Sequence, residues 1–404
     1  MSITRSVAVV ALAAVLGSCS SLDTTGCTVV LRSSSDDQTS FQMAFVNAHN
    51  GANICVAPGT YHFTDSISEA SLTGMTFRGL GATPADVVLD FHTMTAGERG
   101  VSFTSMTNVS VSNMTILDAV HDNLYFHQCT GVTVRHVVSG WTPARAQPGA
   151  YAIYPVECMN VLLDQCEAYG SADAGLYVGQ TTNCIVSNSL VHGNVAGLEI
   201  ENSTHCEVFG NTTRDNTAGI LVFELPGLLH QGMSTSVHDN ISTGNNRMNF
   251  AASGIVRHVP EGLGIMIMGA HEIEVRNNMV SGNGTTGILL VDYQTAVLNG
   301  ADVSSDHTYD GHLRHVYVHD NTQSNNAHMP AAAVAGLAGL TGAEVDIIWD
   351  MFVPTDNIPP QLCIASSGTF RAVDAPHGFA TPPVDGVPSE AATCMTPHLA
   401  PVML

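Results

Sequence analysis

Ala174-Gly-Leu-Tyr-Val-Gly179 is followed 22 residues later by Ala196-Gly-Leu-Glu-Ile-Glu201 and, after another 22, by Ala218-Gly-Ile-Leu-Val-Phe223. A short apolar run that returns at a fixed interval marks a chain built from stacked units, and it decides the architecture before any element is assigned. The pattern extends in both directions. Upstream stand Gly100-Val-Ser-Phe103, Asn123-Leu-Tyr-Phe126 and Ala152-Ile-Tyr-Pro155; downstream stand Gly264-Ile-Met-Ile267 and Gly287-Ile-Leu-Leu290. Counted between leading residues, the spacings are 23, 29, 23, 22, 22, 45 and 23. The 29 contains a Pro/Gly-rich insertion, Trp141 to Gly149, expected to protrude as a loop. The 45 reads as two rungs, with an irregular one around Asn249 and a loop from Leu225 to Gly232.

Between these runs lie second strands that end in Asn-bearing turns: Ile185-Val-Ser-Asn188, Val237-His-Asp-Asn240, Val275-Arg-Asn-Asn278 and Val316-Tyr-Val-His-Asp-Asn321. Asn accepts the left-handed turn conformation, and stacked Asn side chains can hydrogen-bond along the stacking axis. Each rung of about 22 residues thus holds two or three short strands, which describes a parallel β-helix. A leucine-rich repeat would need its own Leu/Asn consensus, and a propeller blade about twice the length. A solenoid needs covered ends. Phe41-Gln-Met-Ala-Phe-Val-Asn-Ala-His49 has helical apolar spacing and suits an N-terminal cap, leading into Ile54-Cys-Val-Ala-Pro-Gly-Thr-Tyr61 as strand and turn. After about Asn326 the pattern fades.

Over Asp173 to Leu228 the chain resembles the exported parallel β-helix repeat-containing proteins, within the pectate-lyase-like right-handed β-helix superfamily. The likeness is carried by Ser171-Ala-Asp-Ala-Gly-Leu-Tyr-Val-Gly-Gln180, Asn194-Val-Ala-Gly-Leu-Glu-Ile-Glu-Asn202 and Asn216-Thr-Ala-Gly-Ile-Leu-Val-Phe-Glu-Leu-Pro-Gly227. The narrower group implies fold and export. The wider superfamily implies polysaccharide lyases, hydrolases, epimerases and binding scaffolds, among which fold alone does not choose. The expected fold is therefore all-β: a right-handed parallel β-helix with an N-terminal helical cap and an irregular C-terminal tail. Its expected boundaries are a signal over 1–18, a linker over 19–40, the β-helix over 41–326 and the cap or tail over 327–404.

The N-terminus reads as a bacterial lipoprotein signal. One charge at Arg5 precedes an apolar run, then Leu16-Gly-Ser-Cys19, which matches a lipobox with Cys19 as the acylated residue. This predicts an envelope protein, lipid-anchored on the outer membrane or periplasmic face. Of the cysteines beyond Cys19, Cys363 and Cys394 flank a Pro/Gly-rich tail and are the expected bridge. Cys184 and Cys206 lie one rung apart, about 4.8 Å, close enough to bridge and equally suited to a buried column. No zinc-type Cys/His spacing appears.

With no lysine, 12 arginines and 35 acids, the chain carries a formal charge of −23. That excludes a nucleic-acid partner, whose phosphates demand a basic face. It also opposes a polyanionic glycan unless a cation, Ca²⁺ for example, or a local Arg cluster intervenes.

Alternation converts the register into a surface map. Counted from the leading residue, positions +1 and +3 are apolar: Leu176 and Val178, Leu198 and Ile200, Ile220 and Val222. Positions +2 and +4 should then face solvent, giving Tyr125, His127, Tyr154, Tyr177, Glu199 and Glu201. Position +5 adds Gln128, Glu157, Gln180, Asn202, Glu224 and Asp292. Tyrosines suit a pyranose face. Glu201 and Glu224, with carboxyls expected roughly 5–9 Å apart, suit a glycosidase pair, joined by Glu199 and Asp173. The expected catalytic or cation-binding residues are thus Glu199, Glu201, Glu224 and Asp173. Tyr125, His127, Tyr154, Tyr177, Gln180 and Asn202 would contact substrate.

Elimination from a uronate also needs a group that neutralises its carboxylate. Arg135, Arg145, Arg214, His127 and His192 are available, without a clear cluster on the mapped face. The Asp-Pro-His-Asp motif of exported mannuronan epimerases has no close match. His121 and His127, flanking Tyr125, are the histidines to watch. Two functions follow from this reading: a carbohydrate-active enzyme, or a non-catalytic module binding a glycan or an envelope protein through the same face.

Overall fold

The computed structural model describes residues 22–340, 345–352, 362–366, 368–387 and 398–404. Cys19 and its lipobox lie outside the described residues, as does Cys394. No helix among those described is long and apolar enough to cross a membrane.

The leading-residue runs stack as one wall of a coil. Arg99–Thr104, Asp122–His127, Tyr151–Val156, Ala174–Gly179, Ala196–Glu201, Ala218–Phe223, Leu263–Met268 and Thr286–Val291 are consecutive neighbours in a twelve-stranded sheet. Position +1 forms one column: Leu124, Ile153, Leu176, Leu198, Ile220, Ile265 and Ile288 are paired rung to rung, all in parallel. These side chains fill the coil interior with the inward residues of a second, twenty-stranded sheet, such as Val132, Val161, Cys184 and Cys206. Each buried aliphatic side chain contributes about 1.5–3 kcal/mol relative to exposure.

The 45-residue interval is one rung and not two, because Ile220 pairs directly with Ile265. The extra length leaves the coil as two excursions, 225–232 and 247–262. The coil also continues past Asn326: Ile347–Trp349 pairs with Thr286–Val291, Leu362–Ala365 with Arg314–His319, and Phe370–Ala372 with Ile347–Trp349. Regular spacing is lost there because long insertions, including helices Tyr293–Leu298 and Ala332–Leu337, separate the strands.

The cap helix runs Asp37–Val46, with Asp36 accepting from the Thr39 N–H. It begins inside the stretch expected as linker, where Val29–Leu31 is already paired with Ile54–Val56. Its Phe41 and Phe45 close the coil, packing against Tyr61, Phe63, Phe77 and Phe103.

The turns use Asn in two separate ways. Asn188, Asp239, Asn277 and Asp320 take positive φ. The ladder belongs to the residues that follow three of them: each of Asn240 and Asn278 donates Nδ2–H to Oδ1 of the next rung's Asn, at 3.0 and 2.9 Å, ending at Asn321. A second buried ladder, from Asn194 through Asn216, Asn245 and Asn283 to Asn326, runs along another corner.

Cys184 and Cys206 are bridged, with Cα atoms 4.5 Å apart. A bridge that spacing does not suggest, Cys27–Cys55, ties the first strand to the coil. Cys363 is also disulfide-bonded.

Candidate functional site

The mapped side chains do point away from the coil interior, but they do not face open solvent. Tyr125, Tyr177, Glu199, Glu201 and Glu224 are all buried, Glu199 to 1% exposure. The reason is a roof. Leu221, Phe223, Met266, Met268, Leu289 and Val291 occupy outward positions and form a second apolar cluster with Val256 and Val259 from one excursion and Tyr293, Ala338 and Leu340 from others. A cavity of about 120 Å³ remains between Phe223, Met266, Met268, Leu289 and the roof residues Ile255, His258, Ala296 and Val334.

The roof thins towards the N-terminal rungs, and there the sheet carries a tyrosine cluster. Tyr151 and Tyr154, each partly exposed, have ring centroids 4.2 Å apart, and Tyr177 stands 4.8 Å from both. Tyr125 packs 5.1 Å from Tyr154 under the Arg99 guanidinium, which lies 3.8 Å above its ring. Arg99 Nε donates to Asp122 at 3.2 Å, and His121 Nδ1 contacts the other oxygen of that carboxylate at 2.7 Å. This hydrogen bond raises the pKa of His121.

Three acids stand behind the tyrosines. Asp173 accepts from the Tyr151 hydroxyl at 3.0 Å through Oδ2, while its Oδ1 is enclosed and has no hydrogen-bond partner. Glu201 accepts from the Tyr177 hydroxyl at 2.8 Å. Glu199 Oε2 is enclosed without a partner. Burial in a low-dielectric site disfavours the charged form. Burial, reinforced by Glu201, pushes Asp173 up to about 7. Burial alone lifts Glu201 to about 7, and burial with Asp173 and Glu201 nearby drives Glu199 well above the carboxylate range. The same burial, with Asp173 the nearest charge, raises Tyr151. The group therefore holds protons up to neutrality and can both donate and accept them.

The remaining expected residues serve the roof or its margin. Asn202 accepts from Leu225 N–H and donates to the Leu225 and His230 carbonyls; Gln180 accepts from Leu229 N–H. They anchor the 225–232 excursion, which occupies both polar atoms of the Asn202 side chain and the side-chain oxygen of Gln180. Glu224 accepts from Gly232 N–H beneath the same excursion, and its burial pushes it to about 8. His127 faces Glu157 at 3.3 Å on the adjacent rung. The structure thus brings Asp173, Glu199, Glu201, Tyr154 and Tyr177 together, and sets Glu224, Gln180 and Asn202 into loop anchoring.

Arg99, Asp122 and Tyr151 are absent from the sequence map. Each precedes a leading residue, where alternation from +1 predicts an inward side chain. The leading residue and +1 both point inward, as Ala152 and Ile153 do, so the residue before them points out. At Gly197 this inward leading position has no room for a side chain: a Cβ there would lie 2.5 Å from the Gly219 carbonyl oxygen and 2.8 Å from Asn216 Nδ2.

Among the described residues, metal-ligating side chains converge elsewhere, on the twenty-stranded sheet, at Glu274, His319 and His398.

The fold has solved relatives. The A-module of Azotobacter vinelandii mannuronan C-5 epimerase AlgE6 aligns with a TM-score of 0.54 at 14% identity, over 87% of this chain and 94% of that one. The AlgE4 A-module from the same organism gives 0.53 at 15%, over the same shares. The chain is a right-handed parallel β-helix. The expected likeness to that superfamily holds at the level of fold. A family model described as periplasmic copper-binding protein (NosD) matches residues 90–225. No curated protein matches the chain.

Proposed function

We propose that the open edge of the roofed sheet binds an exported or periplasmic polysaccharide, and that Asp173 exchanges a proton with it. One observation carries this reading: a carboxyl of pKa about 7, with one enclosed oxygen unpartnered and the other bonded to a partly exposed tyrosine, lies beside a four-tyrosine cluster. A catalytic acid or base works best with a pKa near the ambient pH. The tyrosine rings offer apolar faces to a sugar while their hydroxyls hydrogen-bond. Arg99, over the Tyr125 ring and sharing its charge with Asp122, places a guanidinium beside the cluster in an otherwise acidic chain, which suits contact with a uronate carboxylate. The names of the two similar structures, both mannuronan epimerases, make a mannuronate-containing chain the first ligand to try. Beyond burial, Glu201 raises the pKa of Asp173 from behind, and Asp173 in turn raises that of Glu199.

The test is a panel of purified glycans, mannuronan, polygalacturonate and a neutral β-glucan, incubated with the full chain, with and without Ca²⁺. New reducing ends would indicate hydrolysis, unsaturated uronates elimination, and an altered NMR epimer ratio epimerisation. Asp173→Asn should lower the rate by roughly 10²–10⁴-fold, the usual contribution of a positioned acid or base. Binding without product, equal in the variant, would leave a non-catalytic module. Absence of both binding and product would refute the site.

We further propose that the protein works at the cell envelope, held by acylation of Cys19. The periplasmic description of the matching family model is consistent with this location. Palmitate labelling that survives Cys19→Ala would refute the anchor.

A further inference from the structure

We propose that Glu274, His319 and His398 form a site for a late first-row divalent metal ion such as Zn²⁺ or Cu²⁺, joining the segment at His398 to the side of the solenoid. The ligating atoms of these three residues all lie within 4.8 Å of one another. Glu274 and His319 belong to the twenty-stranded sheet, on which the segment bearing His398 lies, and stand apart from the tyrosine cluster, so the inference does not rest on the glycan reading. They also lie outside residues 90–225.

The local register explains the first two ligands. Glu274 pairs with Tyr317, and Arg276 with His319, on neighbouring rungs, so Glu274 and His319 meet on a diagonal. His319 Nε2 is 3.0 Å from Glu274 Oε1. The same diagonal recurs as Glu167 with His192 at 3.0 Å and Glu207 with His238 at 2.9 Å. A Glu–His diagonal therefore recurs within the twenty-stranded sheet. Only at Glu274, among the described residues, does a third ligating side chain join it: His398 Nδ1 contacts the same Oε1.

Orientation favours coordination. His319 Nδ1 is 2.7 Å from the Asp320 carboxylate, and its ring stacks on Tyr317 at 3.9 Å. A carboxylate on the far nitrogen fixes the tautomer and presents the lone pair of Nε2, the arrangement that supports metal-bound imidazoles. Leu399 N–H donates to Glu274 Oε2 at 3.1 Å and Val402 N–H to Glu207 Oε2 at 3.2 Å, so the segment bearing His398 is held by its backbone as well.

Glu274 and His319 are buried, whereas the His398 side chain is 70% exposed. An ion there would keep an open position towards solvent. Bonds of about 2.0–2.2 Å place two ligands of a tetrahedral ion about 3.4 Å apart, so closure needs only a small shift, available to exposed His398. Arg276 Nε, 3.5 Å from Glu274 Oε1, opposes a cation and would turn towards Asp239, 4.0 Å from its Nη1. Two imidazoles and one carboxylate select zinc or copper over Ca²⁺ and Mg²⁺, which prefer all-oxygen shells.

Untagged, chelator-stripped full chain should bind one Zn²⁺ or Cu²⁺ per chain by calorimetry and show no saturable response to Ca²⁺. His398→Ala and His319→Ala should each weaken binding by roughly tenfold or more, while His192→Ala, at the Glu167 diagonal, leaves it unchanged. Electron paramagnetic resonance of the Cu²⁺ form should report two nitrogen ligands in the wild type and one in His398→Ala. Because His398 is exposed, that variant tests the site even if His319→Ala does not fold. Binding unaffected by His398→Ala, or absent from the wild type, would overturn the proposal.

Discussion

Replacing Glu224 by Gln should stabilise the protein, and increasingly so as the pH rises. Glu224 is buried to 2% exposure beneath the 225–232 excursion, where its carboxyl accepts from Gly232 N–H and burial lifts its pKa from the usual 4.5 to about 8. In the unfolded chain the group loses its proton near 4.5; in the folded chain it keeps it to about 8. Between these values the folded state binds one more proton, so stability falls as pH rises, by up to about 1.36 kcal/mol per pH unit from this group. Below 4.5 both states are protonated and the effect vanishes; above 8 it is complete. The full span is an upper bound of about 5 kcal/mol, reduced by whatever water enters on ionisation. Gln keeps an oxygen for Gly232 N–H and never ionises. Urea unfolding of wild type and Glu224→Gln at about pH 5, 6, 7 and 8 should therefore show a stability difference that widens with pH, by several kcal/mol in all. A difference that is flat with pH, or that narrows, would refute the assignment of a protonated Glu224.

Asn278→Ala removes the acceptor of two Asn240 donors and its own bonds to Asn321 and Val237, so urea unfolding should show a loss of about 3 kcal/mol or more. A Cys184→Ser/Cys206→Ser double variant opens a bridge of sequence separation 22 and should lose about 3 kcal/mol by the same measurement. Tyr151→Phe removes the hydrogen bond that holds Asp173 down, so the limb of the pH–rate profile that reports Asp173 should move to higher pH; an unmoved limb would separate Asp173 from the chemistry. Gly197→Ala drives a Cβ against the Gly219 backbone and should cost about 1–3 kcal/mol in unfolding experiments.

Register was legible in the sequence because it depends on local, repeated causes. A leading small residue, inward Leu176, Leu198 and Ile220, and a turn Asn each recur once per rung, and the 22-residue interval places them in columns. The roof was not legible as a structure, because nothing in an insertion's own periodicity says which wall it folds over. A signal for it existed: Leu221, Met266 and Leu289 are apolar at positions mapped outward, and Phe223, Met268 and Val291 likewise. Apolar residues at outward positions in consecutive rungs need a cover. Arg99, Asp122 and Tyr151 were lost for a different reason, since two successive inward residues at the strand start reverse the alternation that the mapping assumed. Glu274 and His319 sit in strands that the turn Asn made visible, but their meeting with His398 joins positions 124 residues apart in sequence, which no local pattern encodes.

The location of the tyrosine cluster follows from rung length. The rungs that begin at Gly175 and Gly197 are 22 residues long and carry no insertion, so they cannot cover their own outward side chains. Cover for Asp173 comes from a later rung, where the Gly254 backbone, at φ +77°, approaches so closely that a Cβ there would lie 3.3 Å from Asp173 Oδ2. Asp173 is thus enclosed by chain that is remote in sequence and half-open on the side of Tyr151 and Tyr154. Gly254→Ala should show the dependence directly. With φ +77° and ψ 174°, Gly254 holds a backbone conformation essentially confined to glycine, so a methyl group there costs about 1–3 kcal/mol. It would also displace the 247–262 excursion from Asp173. Water would then reach the carboxyl, lowering its pKa towards 4, and the Asp173 limb of the pH–rate profile should move down, opposite to Tyr151→Phe. Opposite movements from two neighbours of one carboxyl would be hard to produce by general destabilisation; parallel movements would show that the limb belongs to another group.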